Sequence, residues 1–234
     1  SVSVPGSEQA IPFFAPNRER QMEYDISRAI TRVVTPEKPV VGVMSSLPVF
    51  GMQSNPMMMQ MGQRGSPPWA LVTELQSDFT VRRVEMTVDK IPDEIKVLVV
   101  IHPKDISDAA QYAIDQFILR GGKLIAFLDA NSLVDSRNQQ NPMMAQMGGG
   151  GSSLDKLLKA WGIQFENTKV LADMSYRMEV GGDGPGAQRP TWLSLTSDAI
   201  DTNDVVTSQI DNLWYFSGGT FCGTPADGLR QTVL

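Results

Sequence analysis

Two residue types that supply much protein chemistry are almost absent here: 234 residues hold one cysteine, Cys222, and one histidine, His102. A lone cysteine excludes an intrachain disulfide scaffold, without choosing a compartment. With a single histidine beside it, the chain lacks the ligands of a conventional zinc site. Long apolar runs are missing too. No stretch of about 18 apolar residues occurs, so nothing reads as a membrane span, and no signal-peptide pattern is legible. Basic runs are no longer than Arg82-Arg83, and the net charge of -6 argues against a nucleic-acid surface. No Walker A motif is present. Gly121-Gly122 lies between a helix and a strand pattern, the reverse of a Rossmann glycine loop, so the chain is not an ATPase by itself and no cofactor is expected.

What is present suits a packed core, since 41% of residues are hydrophobic. The stretch 92–129 is the most informative. Residues 97–101 form a continuous apolar run, as a strand covered on both faces requires. Asp105 or Ser107 can cap the helix that follows. Ile106, Ala109, Ala110, Ala113, Ile114, Phe117 and Ile118 make one apolar helical stripe. Gly121 suits a left-handed helix stop, and 124–128 reads as a second buried strand. This is a β-α-β unit with an expected right-handed crossover.

The rest extends the alternation. A short strand is expected over 9–14 and a helix over 17–34, capped by Asn17. A strand follows at 40–44, then a helix opened by Pro68, a strand at 80–88 and, after the central unit, a helix over 154–161. Short strands are expected at 163–165, 169–172 and 176–180, with peripheral ones at 192–195 and 210–216. Such alternation predicts an α/β fold, a doubly wound and mostly parallel sheet of flavodoxin-like order. In that order strand 80–88 and strand 97–101 flank strand 40–44. Residues 1–180 would form the sandwich, and 181–234 peripheral strands and loops of the same domain. The start at Ser1-Val2-Ser3-Val4 and the stop at Leu234 suggest an excised soluble piece, with any targeting segments outside it.

Two insertions interrupt the pattern, at about 48–67 and 135–153. They carry near-copies of one phrase, Asn55-Pro56-Met57-Met58-Met59-Gln60-Met61-Gly62 and Asn141-Pro142-Met143-Met144-Ala145-Gln146-Met147-Gly148. Each follows the carboxyl end of a strand, so both should project from one edge of the sheet. They allow three readings: low-complexity loops without a ligand, a plastic docking surface of adaptable Met side chains, or Cu(I) capture by thioethers.

The same edge should carry Ser45, Ser46, His102 and Asp129, each just past a strand. A serine, a histidine and an aspartate there could act as nucleophile, base and orienter of a hydrolase. Against this, no Gly-x-Ser-x-Gly elbow exposes a strained serine. Pro48 and Pro103 read as loop shaping, and Asp129 can equally satisfy backbone donors. A site for a small molecule or peptide built on these four residues is the simpler expectation, with no metal and no catalytic residue.

Ile91-Pro92-Asp93-Glu94-Ile95-Lys96-Val97-Leu98-Val99-Val100, Asp105-Ile106-Ser107-Asp108 and Arg120-Gly121-Gly122-Lys123-Leu124 resemble the soluble domain of the GldG type. These are gliding-motility-associated auxiliary proteins of ABC transport systems. Lys38-Pro39-Val40-Val41-Gly42 and Leu154-Asp155-Lys156-Leu157-Leu158-Lys159-Ala160-Trp161-Gly162-Ile163 are similar too. The sheet also resembles the class I glutamine-amidotransferase fold. That fold's Cys-His-Glu machinery does not carry over, since Cys222 lies far outside the α/β unit. The resemblance implies a non-catalytic accessory domain on the extracytoplasmic, periplasmic face of the inner membrane. Its membrane tether would lie outside this fragment, and its partners would be an ABC permease and a separate ATPase.

Overall fold

The computed structural model describes residues 2–4, 7–9, 22–35, 37–52, 65–138, 150–181 and 188–234. The Met-rich phrases, Asn17 and most of the strand expected at 9–14 lie outside them. Strands β1 (Val2–Val4) and β2 (Ser7–Gln9) form an antiparallel hairpin. Then come α1 (Met22–Val34), β3 (Val40–Ser45), α2 (Ala70–Asp78), β4 (Thr80–Val84), β5 (Ile95–Ile101), α3 (Asp108–Leu119) and β6 (Lys123–Phe127). Helices α4 (Leu133–Asn138) and α5 (Asp155–Ala160) follow. Strands β7 (Ile163–Glu166), β8 (Arg177–Glu179), β9 (Gln188–Thr196), β10 (Asn212–Phe216) and β11 (Thr220–Gly223) complete the chain.

The central sheet has the order β4-β3-β5-β6, all parallel. This is the doubly wound α/β sheet expected, with β4 and β5 on the two sides of β3. Its strands alternate between two cores. Val41, Val43, Val99 and Ile101 pack with Val72, Leu75 and Trp69 of the α2 region. Met44, Leu98 and Val100 pack with Ala110, Ile114 and Phe117 of α3 and with Leu157 of α5. Continuous apolar strands are what two covered faces demand.

Local chemistry sets α3. Ser107 is its N-cap, with Oγ accepting from the Ala110 N–H at 3.1 Å. Gly121, at φ 96°, ends it, and the N–H groups of Gly121 and Gly122 return to the carbonyls of Ile118 and Phe117 at 2.8 and 2.9 Å. Gln111, buried on α3, accepts the Leu157 N–H at 3.2 Å and so docks α5.

Four expectations change. The strand expected over 80–88 stops at Val84, and the chain turns so that the Val88 N–H meets the Glu85 carbonyl at 3.3 Å. Met86 and Val88 still pack on the core, which is why their apolar spacing imitated a strand. Residues 169–172 form no strand: the Leu171 N–H donates to the Gly218 carbonyl at 2.8 Å, but no ladder partner lies alongside among the described residues. The second insertion begins as a helix, α4, rather than a loop. Strand β11 was not expected, and pairs antiparallel with β7 across a long stretch of sequence. Among the described residues, no helix is long and apolar enough to cross a membrane.

Phe117 is fully buried between α3 and the sheet. Phe117→Ala should therefore cost about 3–5 kcal/mol. Urea unfolding should show a lower midpoint at an unchanged slope.

Candidate functional site

The chain leaves β3 for β4 on one side and then returns to β5 on the other. The carboxyl ends of β3 and β5 are therefore the point where strand order reverses, the usual site of a ligand crevice in open α/β sheets. Ser45 and Ser46 stand on one lip and His102 on the other. The crevice is stitched rather than open. Ser45 Oγ donates to the Ile101 carbonyl at 2.8 Å, and Ser46 Oγ donates to the His102 carbonyl at 2.5 Å. Ser45 Oγ also accepts the Leu47 N–H at 3.0 Å, which fixes the turn leaving β3. Both serines thus meet main-chain groups, and neither hydroxyl is bonded to the imidazole.

The hydroxyl at the imidazole belongs to Ser152, which lies 3.1 Å from His102 Nδ1. Ser152 returns from the second insertion as an added rung at the end of β6. Its Oγ accepts the Asp129 N–H at 2.9 Å, and its N–H donates to the Asp129 carbonyl at 2.8 Å. The neighbouring Ser153 N–H donates to the Pro103 carbonyl at 2.6 Å. Gly151 permits this approach, since a Cβ there would meet Asn167 Cβ at 2.8 Å and the Ala130 carbonyl oxygen at 3.2 Å. Ser152 was read as part of a loop. The glycine run before it was the available signal, but only the fold shows what those glycines approach.

His102 has an uncommon backbone for a non-glycine residue, at φ 45°. Its N–H donates to the Phe127 carbonyl at 2.9 Å, continuing the β5–β6 ladder by one bond. The side chain is 1% exposed, and Nε2 has no hydrogen-bond partner among the described residues. A proton on Nδ1, donated to Ser152 Oγ, avoids burying an unpaired N–H; this tautomer is inferred from the bonding. Burial holds the imidazole below its ordinary value of 6.5, although the Asp129 and Asp135 charges pull the other way. Asp129 Oδ2 is 3.8 Å from Nδ1, beyond hydrogen-bond length. The Asp129 carboxyl is itself held above the usual carboxylate range by burial, opposed by His102 and by a hydrogen bond from Ser132. His102, Asp129 and Ser152 thus converge, with Ser152 as buried as the imidazole. Ser45 and Ser46 stand apart as backbone staples.

A cavity of about 660 Å³ lies at the opposite end of the sheet, between α1 and α2. The reading from sequence missed it. Arg28 and Arg32 line it, and both hold Asp78, at 2.5 and 2.6 Å. The hydrogen bond from Arg28 is the main reason the Asp78 carboxyl sits below its usual range. These charges tie one helix to the other. Among the described residues, no cluster of three or more His, Cys, Asp or Glu could hold a metal ion.

Fold and edge together define a doubly wound α/β domain whose strand-end side chains are engaged in structural bonds. A family model described as "ABC-type uncharacterized transport system" matches residues 38–234, and the chain belongs to this family of auxiliary ABC transport components. Neither a curated protein nor a solved structure matches the chain significantly.

Two outcomes follow from this geometry. A histidine held below 6.5 binds its proton more readily in the unfolded chain, so its contribution to stability is complete above pH 6.5 and is lost as pH falls below that value. The melting temperature should fall between pH 7 and 5. His102→Asn, which tolerates a left-handed backbone and does not titrate, should flatten that slope. Ser152→Ala leaves the Asp129 N–H without its acceptor and should cost about 1–3 kcal/mol, read as a lower denaturation midpoint at pH 7.

Proposed function

We propose that this chain is a non-catalytic accessory domain of an ABC-type transport system, working on the extracytoplasmic face of the membrane as gliding-motility-associated components do. The match of the auxiliary transport family over residues 38–234 carries the reading. The membrane tether would lie outside these residues, and the partners would be the permease and ATPase of the same system.

The working surface would be the strand-end edge. Ser46 is exposed there, and Asp129 keeps nearly half of its side-chain surface open. Each Met-rich insertion follows a strand that ends at this edge. A single antiparallel bridge between Met52 and Ser66 closes the first, and Ser152 anchors the second against Asp129. Two substrate-facing or partner-facing loops would thus be held on one rigid platform, a common arrangement for binding surfaces.

The bonding of the serines supports binding over hydrolysis. A nucleophile needs a base within hydrogen-bond reach and access to substrate, whereas Ser45 and Ser46 donate to carbonyls and Ser152, the hydroxyl at the imidazole, is 1% exposed and holds the Asp129 N–H.

The test is capture of the native protein from detergent-solubilised membranes, with a photo-crosslinking residue at position 46 or 129. Crosslinks to the permease are expected, with the ATPase co-purifying through it, and absence of both from the captured complex would overturn the accessory role. Protease treatment of intact spheroplasts should cleave the domain; protection would reject the extracytoplasmic side. A fluorophosphonate probe should leave the chain unlabelled. Labelling abolished by His102→Ala would establish the hydrolase instead.

A further inference from the structure

We infer that β6 is a self-association edge, pairing antiparallel with β6 of a second copy to join two four-stranded sheets into one of eight strands. The two edges of the central sheet differ in kind. β4 is blunted by Arg82 and Arg83, exposed and paired with Glu94 and Glu85 at 3.0 and 3.1 Å. Charged side chains are a usual defence of a sheet edge. β6 has no such defence in its middle: Ile125 is 47% and Phe127 52% exposed. Both continue the face formed by Val99 and Ile101 on β5. Among the described residues, helix α2 covers that face over β3 and β5 and leaves Ile125 and Phe127 about half exposed over β6.

The backbone is ready for a partner. The Phe127 carbonyl faces inward, to His102 N–H at 2.9 Å. Strand alternation therefore turns the N–H and C=O groups of Leu124 and Ala126 outward. A two-fold axis at Ile125 sets Leu124 opposite Ala126 of the second copy as a hydrogen-bonded pair, and Ile125 opposite Ile125. Lys123 then lies opposite Phe127 and diagonal to Asp129 of the other chain, within reach of a long side chain. A two-fold interface must be self-complementary, and the basic start and acidic end of this segment meet that condition. This charge match favours a second copy over an unrelated strand.

Sedimentation of the 234-residue chain tests this. The expected mass is twice the 25.6 kDa of one chain. Ala126→Pro removes only an outward N–H and keeps the β5 ladder, while Ile125→Lys places charge against charge on the axis. Each should weaken self-association by at least about tenfold with an unchanged circular dichroism spectrum. A wild-type chain that stays monomeric at about 100 μM overturns the proposal. So does a dimer that both variants leave intact.

Discussion

Burial of β5 on both faces is the constraint on which the other elements depend. Leu98 and Val100 require a helix layer on one side, and Val99 and Ile101 require one on the other. Parallel neighbours on both flanks then need crossovers, and α3 and α2 supply the two cover layers. The strand is also what brings the candidate site together. Its last residue leads straight into His102, and its two neighbours deliver Ser45-Ser46 and Asp129 to the same edge.

That edge shows a conflict between position and chemistry. The reversal of strand order between β3 and β5 is where an open sheet would admit a ligand. Here the serines bridge the gap to carbonyls across it, and a rung from the second insertion closes over β6. The buried imidazole is the node. Its N–H extends the ladder, its carbonyl receives Ser46, and its ring meets Ser152. A polar group so deep is tolerated because most of its hydrogen-bonding capacity is met. Its burial disfavours the charged form and keeps the ring neutral at neutral pH. What remains outward is the Asp129 carboxylate and the roots of the insertions.

Much of the fold could be read directly. The apolar run 97–101, the stripe of α3 and the Ser107 and Gly121 signals come from local chemistry, and the structure keeps them with boundaries shifted by a residue or two. The misplaced strands share one cause. Met86, Val88 and residues 169–172 have the apolar spacing of strands, but a strand exists only where a partner lies alongside, and spacing cannot supply one. Strand β11 is the converse: Thr220-Phe221-Cys222-Gly223 carries little signal and becomes a strand because β7 is beside it.

The sequence by itself determined the fold class, the two-sided core, the order of strands about β3 and the edge at which Ser45, Ser46, His102 and Asp129 gather. Those properties follow from periodicity and chain connectivity, which are local or nearly so. Only the tertiary structure decided how the side chains pair. It gave the imidazole to Ser152 instead of Ser45 or Ser46, set Asp129 at 3.8 Å from it, and left Ile125 and Phe127 half exposed on β6, at the edge opposite the charged β4. Each of these depends on distances between segments far apart in the chain. Hydrogen bonds discriminate over fractions of an ångström, and no spacing along a sequence encodes that.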